Sequence, residues 1–331
     1  MKTRASRIKA IIIITCFMVG AALLVGVFGL IEALLDKTGS DKPVSDEFSY
    51  AENSAGQIYY ESNWYVPDDS KESILILGID QKEDSSEKRQ NSQQADFFAL
   101  VVMDKKEESY RILYLNRDTI TDIPQTDAFG KIYGYTENHL SLAHTYGDND
   151  KMRCRNTVNA VEHLLYGIDV EHYLSLTMDA VAILNDSVGG VTVQLMDDFT
   201  MLDETFIKDS TVTLRGDQAL SYVQDRGSLE DSSNLHRMER QQQYITALLD
   251  RLGTFELENN SDTLIEVSEY LVSDCTIDQL SRWIKRLGSY EYKGSDSLPG
   301  EAIVGTEYME YHVDEQALQE LVIDLFYKLK D

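Results

Sequence analysis

Two stretches of the chain are apolar at nearly every position, and this pattern constrains the fold more than any other feature. They are Ser73–Ile79, which reads Ser-Ile-Leu-Ile-Leu-Gly-Ile, and Phe97–Met103, which reads Phe-Phe-Ala-Leu-Val-Val-Met. A strand with one face in water alternates apolar and polar residues, whereas a strand buried on both faces does not. The sequence therefore predicts a sheet that is covered on both sides.

Helical and extended patterns alternate along the rest of the chain. Helices are predicted at Arg153–Tyr166, Asp179–Ser187, Gly216–Val223, Arg237–Leu252, 262–272, 276–287 and Asp314–Leu329. Further strands are predicted at Tyr110–Asn116, Tyr173–Thr177, Val191–Leu195 and Tyr308–Val313. Buried strands interleaved with helices are typical of an α/β sandwich, and the length of this region fits a single domain at 73–331.

The N-terminus has the pattern of a membrane anchor. Four basic residues within positions 1–9 precede an uncharged run of 22 residues, Ala10–Ile31. The run is long enough to cross a bilayer as a helix, and flanking positive charge favours the cytoplasmic side. We expect a cytoplasmic segment at 1–9, a transmembrane helix at 10–31 and an acidic extracytoplasmic stalk at 32–72. A cleaved signal peptide is the alternative, but the run is long for one and no clear cleavage motif follows.

The charge of the chain excludes some partners and draws attention to its arginines. It has 57 Asp and Glu against 30 Lys and Arg, a net charge of -27. Residues 1–31 hold four of the basic residues and no acidic one, so the remainder carries 26 against 57, a net of -31. Nucleic-acid binding needs a positive footprint and is disfavoured. Arginines at the ends of predicted elements therefore indicate a local anion site, since the guanidinium fork holds two phosphate oxygens; they are Arg117, Arg226, Arg237 and Arg240.

Two aspartates stand at the ends of the buried strands. Asp80 follows Ser73–Ile79, and Asp96 precedes Phe97–Met103. If the two strands are antiparallel, both carboxylates lie at the same edge of the sheet, where Mg²⁺ bound by one or two carboxylates and substrate phosphates would be stable. Each aspartate alone also fits a simple turn or strand start, so the pair is a hypothesis.

Lys131, Arg237 and Gln241 each have both a functional and an ordinary interpretation. Lys131 follows Gly130 in a loop, where it adds a point charge to a phosphate site or is simply solvated. Arg237 lies in the first turn of a predicted helix, where free N–H groups favour anions, and Gln241 shares its stripe one turn later. A solvated polar face is the alternative for this pair.

Several short stretches, taken in order, resemble the LytR-CpsA-Psr family of cell-envelope proteins. They extend from about residue 73 to the C-terminus, and the single N-terminal anchor agrees with the same family. The matching stretches are Ile74–Asp80, Ala95-Asp96, Leu115–Thr119, Lys131-Ile132, His144–Gly147, Asp186–Val191, Leu214–Val223 and Arg237–Gln242.

The resemblance implies a mixed sheet between helices and a specific activity. Members of this family move a glycopolymer, such as teichoic acid or capsule, from a polyprenyl-pyrophosphate carrier onto peptidoglycan in envelopes of the Gram-positive type. It implies a metal site for Mg²⁺ or Mn²⁺ at Asp80 and Asp96. It also implies catalytic roles for Arg117, Asp96 and Arg226, and pyrophosphate contacts from Arg117, Lys131, Arg226, Arg237, Arg240 and Gln241. Phosphoryl transfer suits such residues, because it needs positioning and charge neutralisation rather than a protein nucleophile.

The chain departs from the family pattern at three positions. Gln94 and Gln224 stand where arginines are usual, and Asn234 stands where an aspartate is usual. Loss of two charged phosphate contacts weakens the site, because charged contacts are about twice as strong as neutral ones. Two alternatives to a transferase therefore stay open: an impaired member that binds lipid-linked polymer or scaffolds envelope assembly, and a polyprenyl-pyrophosphate hydrolase.

Overall fold

A mixed sheet covered by helices is the centre of the fold. The computed structural model describes residues 56–79, 93–127, 130–225, 234–253, 267–305 and 308–330. The strands are β1 (Ile58–Tyr60), β2 (Asn63–Pro67), β3 (Lys71–Ile79), β4 (Ala95–Asp104), β5 (Ser109–Leu115), β6 (Ile120–Thr126), β7 (Ile132–His139), β8 (His172–Thr177), β9 (Val191–Gln194), β10 (Thr211–Leu214), β11 (Leu271–Ser273), β12 (Glu291–Ser297), β13 (Gly300–Val304), β14 (Met309–Val313) and β15 (Tyr327–Leu329). The helices are α1 (Asp150–Leu164), α2 (Asp179–Ser187), α3 (Asp217–Gln224), α4 (Asn234–Gly253), α5 (Ile277–Ser289) and α6 (Glu315–Phe326), and a 3-10 helix spans Leu140–Thr145.

The central sheet has six strands in the order β11-β8-β3-β4-β5-β12. β8 runs parallel to β3 and β12 parallel to β5, while the remaining neighbours are antiparallel. β4 is buried at every position from Ala95 to Met103. The predicted α/β fold with a mixed sheet between helices is therefore confirmed for this region.

Alternate residues of the sheet pack against helices on its two faces. Leu75 and Leu77 belong to one apolar cluster, together with residues of α1 and α6. Ile74 and Ile76 point the other way and pack with Leu249 of α4 and Trp283 of α5. This arrangement explains the continuous apolar pattern of β3, since a strand with helices on both sides has no solvent-facing positions.

Helix α4 belongs to two cores, which fixes its position. Its residue Leu249 packs on the central sheet. Tyr244 and Leu248 pack instead into a second apolar cluster formed with β9, β10 and α3. Because Arg237 and Gln241 lie on α4, this double attachment sets where their side chains meet the end of the sheet.

Three differences from the predicted elements have identifiable causes. The pattern at 262–272 predicts a helix, and residues 267–268 are helical, but Leu271–Ser273 forms β11, because pairing with β8 extends the sheet. Residues 262–266 of that prediction lie outside the described residues. The last helix ends at Phe326 rather than Leu329, and the chain then forms β15 antiparallel to β2. Residues 56–72, assigned to the stalk, thus contain strands that pair with the C-terminal end of the domain.

The hairpin of β6 and β7 was not predicted from the sequence. Its register runs from Ile120 opposite His139 to Thr126 opposite Ile132. β7 is exposed or half-buried at every position, so it lacks the apolar alternation that identifies most strands. Pro124 within β6 also argues against a strand in sequence-based reasoning, although an edge position tolerates it.

Two parts of the sequence prediction fall outside the described residues. The first is the predicted anchor at 10–31, and the second is the pair of predicted site residues Asp80 and Arg226. Within the described ranges, no helix has the length and apolar character needed to cross a membrane.

Candidate active site

Asp96 and Arg117 form the centre of a charged cluster at one end of the sheet. Asp96 lies at a register shift in the β3–β4 pair, where Ile79 faces Ala95 but Gly78 faces Phe97. Such a bulge redirects a side chain. Arg117 lies two residues after the end of β5, and its Nη1 contacts Oδ1 of Asp96. The two residues therefore reach one another from adjacent strands, as the element ends in the sequence indicate.

Arg117 is held by more than one neighbour. Its Nη2 donates a hydrogen bond of 2.8 Å to Oε1 of Gln94. Its Nε lies 3.3 Å from Oδ1 of Asp118. Gln94, where the resemblance predicts an arginine, is thus a hydrogen-bond acceptor for Arg117 rather than a second cation.

Arg237 joins the cluster from α4. Its Nη1 lies 4.0 Å from Oδ2 of Asp96, so Asp96 stands between two guanidinium groups. Asp96 is 7% exposed and Arg237 is 5% exposed. Ionic contacts are strong in such a poorly solvated place, and a phosphate or pyrophosphate anion is the kind of ligand that would replace the aspartate between the two arginines.

The residues at this edge fit a divalent cation. β3 and β4 are antiparallel, and Ile79, immediately before Asp80, pairs with Ala95, immediately before Asp96. The two strands are therefore antiparallel, as the predicted aspartate pair requires. Asp80 itself lies outside the described residues. Two carboxylates with phosphate oxygens are the donor set that Mg²⁺ prefers. The metal role of the two aspartates stays a prediction.

Gln241 is buried beside the cluster with unused hydrogen-bonding capacity. It is 3% exposed, and its Nε2 donates to the Val223 carbonyl over 3.1 Å. Within the described part of the chain its Oε1 has no hydrogen-bond partner. Ionised phosphate oxygens accept hydrogen bonds and the amide nitrogen carries two N–H groups, so Gln241 would serve a phosphate through the second N–H of Nε2.

Arg240 faces away from solvent and is occupied by other groups. It is 1% exposed, and its Nη1 donates to Oδ2 of Asp197 over 2.8 Å. Its Nη2 donates to the Asp225 carbonyl, and its guanidinium lies 5.6 Å from the centre of the Phe199 ring. These contacts tie the start of α4 to the chain after β9, so the described geometry gives Arg240 a positioning task rather than the predicted pyrophosphate contact.

Lys131 and Arg226 are not brought to the cluster by the described contacts. Lys131 is exposed at the turn end of the β6–β7 hairpin, about 20 Å along the hairpin from the end next to Arg117, at 3.3 Å per residue. Arg226 lies outside the described residues, two positions after Gln224, where α3 ends. The predicted roles of both stay predictions.

A buried imidazole, His144, and a buried thiol, Cys154, support the residues just before β4. Nδ1 of His144 lies 2.8 Å from the Gln93 carbonyl, and Sγ of Cys154 lies 3.6 Å from His144 Nε2. Burial raises the pKa of the Cys154 thiol to about 11 and lowers the pKa of His144. Both groups are therefore neutral near pH 7 and act as a hydrogen-bonded support for the segment that presents Gln94 and Asp96. Cys154 and Cys275 are free thiols.

An apolar cavity opens next to the charged cluster, and sequence reasoning did not assign its lining. It is an open groove between the sheet and α2, α3 and α4, with a cavity volume of about 50 Å³. Its walls include Gly78, Phe97, Met178, Val181 and Ile245, and Gln241 lies at its polar end. Gly78 is the available signal in the sequence, because a glycine inside a buried strand marks a close approach; a Cβ there would lie 3.0 Å from Phe97 Cβ.

The chain is similar in sequence to transferases of teichoic acid. The chain is 28% identical over 207 residues to the polyisoprenyl-teichoic acid–peptidoglycan teichoic acid transferase TagU of Halalkalibacterium halodurans, a match that covers 62% of this chain and 62% of that protein, less than two thirds of its length. It is 26% identical over 251 residues to the transferase TagT of Bacillus subtilis, covering 74% and 70% of the two chains.

Solved structures agree with the sequence relatives. The structure described as TagT bound to LI-WTA aligns with a TM-score of 0.59 at 25% identity, covering 78% of this chain and 90% of that one. The sequence model of the LytR_cpsA_psr family matches residues 35–325, which is most of the sequence. The chain therefore belongs to the LytR_cpsA_psr family.

Proposed function

We propose that this protein transfers a glycopolymer from a polyprenyl-pyrophosphate carrier to a hydroxyl group of peptidoglycan. The observation that carries the proposal is the contact between an anion-binding cluster and an apolar cavity. Phe97 and Gln241 line the cavity, while their neighbours Asp96 and Arg237 belong to the cluster. A ligand with a pyrophosphate attached to a long hydrocarbon chain fits both parts at once. The names of the relatives support the same substrate class.

In this proposal the arginines exchange one anion for another. Arg117 and Arg237 hold Asp96 in the structure, and both turn to the pyrophosphate when it binds. The acceptor hydroxyl oxygen bonds to the phosphorus that carries the sugar, the bond between the two phosphates breaks, and the lipid phosphate leaves. Guanidinium groups stabilise the charge that develops on the phosphate oxygens. Asp96, released from its arginines, is placed to take the hydroxyl proton.

A divalent cation completes this charge arrangement. Asp96 and Asp80 are the residues that would hold Mg²⁺ or Mn²⁺. When bound, the ion supplies charge neutralisation at the phosphates. Gln241 and Arg237 hold the carrier from α4 while the cavity shields its hydrocarbon chain from water.

We place the domain outside the cell membrane, with residues 10–31 as a single anchor and residues 1–9 in the cytoplasm. The charge pattern of these segments supports this orientation. It brings the apolar cavity to the side of the membrane where lipid carriers and peptidoglycan meet in an envelope of the Gram-positive type.

The cavity offers a test of carrier binding that leaves the charged cluster intact. Val181 lines the cavity, and Val181→Phe places a larger side chain inside it. We expect this substitution to weaken binding of a polyprenyl pyrophosphate by about tenfold or more, which corresponds to about 1.4 kcal/mol. Val212→Phe is the matched control, because Val212 packs in the second apolar cluster rather than around the cavity. Equal binding by both variants, with unchanged melting temperatures, would contradict the assignment of this cavity.

Product analysis separates the three candidate functions. Full-length protein is incubated with a labelled polyprenyl-pyrophosphate-linked glycopolymer and peptidoglycan. A transferase gives label attached to peptidoglycan, a hydrolase gives only free polymer phosphate, and a binder gives a stable complex without product. The contact of Gln94 with Arg117 is the observation that keeps the binder in consideration. A binder would hold the lipid-linked polymer without turnover, and the double substitution Gln94→Arg/Gln224→Arg would not restore turnover.

A further inference from the structure

We propose that one face of β7 binds the sugar chain of the acceptor. This β7 face consists of the aromatic residues Tyr133, Tyr135, His139 and Tyr308 with the carboxylates Asp122 and Glu137. The inference rests on the proposed function and adds to it the place where an uncharged amino-sugar polymer would lie. The β7 face would bind the acceptor, whereas the cavity and the arginine cluster would bind the donor.

Strand geometry puts these residues together. Side chains two residues apart share a face of a strand, so Tyr135, Glu137 and His139 project from the same side of β7, and Tyr133 follows at a register shift of the hairpin, between Ile132 opposite Thr126 and Gly134 opposite Gln125. The ring of Tyr308, just before β14, lies edge-on to His139 with 6.3 Å between ring centres. Together the aromatic groups follow β7 for about 20 Å, from His139 to Tyr133.

The tyrosines of this face are exposed, whereas eleven Phe, Tyr and Trp side chains of the described residues are buried. Tyr133 is 72% exposed, Tyr308 70% and Tyr135 49%. An exposed tyrosine offers a flat apolar ring and a hydroxyl group at one rim. A pyranose has the matching features, since one face carries C–H groups and its edge carries hydroxyls. Tyr135 already stacks on a planar ring, His163 of α1, at 4.7 Å between centres.

Carboxylates lie between the aromatic groups. Asp122 of β6 is directly opposite Glu137 of β7, and directly opposed like charges destabilise a sheet. His163 Nε2 approaches Asp122 at 3.6 Å. Carboxylates accept hydrogen bonds from donors such as hydroxyl and N-acetyl N–H groups, so this pair suits a ligand that brings donors and no negative charge.

The charge around the β7 face argues against the two other possible ligands. Among the described residues, segments 118–139 and 300–313 contain four and two acidic residues, six in all, and the single Lys or Arg is Lys131. An anionic glycopolymer donor would be repelled by this excess, and so would an anionic lipid surface. An acceptor glycan of uncharged amino sugars is compatible with it.

The β7 face begins where the charged cluster ends. Arg117 lies between Asp96 on one side and Asp118 on the other. Oδ1 of Asp118 is 3.8 Å from Nδ1 of His139, the innermost member of the β7 face. An acceptor lying along β7 would therefore present its end beside the arginine that binds the donor phosphate, opposite the side on which Arg237 and α4 approach.

The test uses a neutral probe that contains neither lipid nor phosphate. Binding of the N-acetylglucosamine tetramer to full-length protein is measured by calorimetry for wild type, Tyr133→Ala/Tyr135→Ala and Tyr59→Ala. Tyr59 is the control because it is as exposed as Tyr135, 49%, and lies on β1 outside the β7 face. We expect the double variant to raise the Kd at least about tenfold, since exposed aromatic anchors dominate such contacts, and the control to leave it unchanged.

Two readouts distinguish failure of this inference from failure of the proposed function. In a transfer assay the double variant should lower kcat/KM for the acceptor at least about tenfold while the Kd of the lipid-linked donor stays the same. Transfer with unchanged acceptor dependence would overturn the β7 face and leave the transferase intact. Tyrosine-dependent tetramer binding without any transfer would support the β7 face and reject the transferase. Loss of vesicle binding in place of glycan binding would identify a membrane contact and overturn the inference.

Discussion

Replacing Arg117 with alanine should lower the rate of glycopolymer transfer by about a thousandfold or more. The arginine is the one group of the cluster that contacts Asp96, Gln94 and Asp118 together. Arginines that stabilise charge in phosphoryl transfer contribute about 10³ to 10⁵ in rate. The measurement is the initial rate of label transfer to peptidoglycan by full-length wild-type and variant proteins at saturating donor.

Arg111→Ala is the control for this experiment. Arg111 lies on the same strand-and-loop segment, but its guanidinium pairs with Asp296 at 2.7 Å and with Asp324, away from the cluster. We expect it to retain nearly full activity. Full transfer by Arg117→Ala would remove the basis for placing the donor phosphate at this cluster.

Replacing Asp197 with alanine should destabilise the domain by about 3–5 kcal/mol, the usual effect of breaking a buried ion pair. Asp197 is 5% exposed and pairs with Arg240, which is 1% exposed. It also lies 2.9 Å from His236 Nε2. Without it the Arg240 charge stays buried with no carboxylate partner in the described contacts, and the start of α4 loses its attachment. Urea unfolding midpoints followed by circular dichroism report the change.

Asp150→Ala provides the comparison for a surface pair. Asp150 is half exposed and contacts Arg153 at 2.6 Å within one helical turn, so its removal should cost less than about 1 kcal/mol. Similar midpoints for Asp197→Ala and Asp150→Ala would show that the buried pair does not hold α4. Because Arg237 and Gln241 are on the same helix, a loss of transfer in Asp197→Ala should accompany the loss of stability.

The parts of the fold that could be predicted from the sequence are those whose pattern depends on burial. The stretches Ile74–Ile79 of β3 and Phe97–Met103 of β4 are apolar because helices cover both faces of the sheet, and the structure confirms both strands. β7 could not be predicted, because both of its faces meet solvent and its sequence carries no periodic signal. β11 was mistaken for a helix, since three residues gain their extended conformation only from pairing with β8.

The candidate site likewise contains residues that could be predicted from the sequence and residues that could not. Asp96, Arg117 and Arg237 stand at element ends, where the sequence alone points to an anion site, and the structure brings them together. Arg240 belongs to the same motif, yet its partner Asp197 is 43 residues away and no local pattern reveals that contact. The cavity lining comes from β3, β4, β8 and three helices, so it exists only after folding.

The most direct test of the account follows the phosphorus atom that carries the sugar. A donor labelled with ³²P at that phosphate is incubated with full-length protein and peptidoglycan, with Mg²⁺ or with chelator. The account predicts that the label becomes bound to peptidoglycan with Mg²⁺, that the lipid leaves as its monophosphate, and that chelator abolishes both. Label that remains on the lipid, or appears only as free polymer phosphate when an active relative transfers it under the same conditions, would contradict phosphoryl transfer to peptidoglycan by this protein.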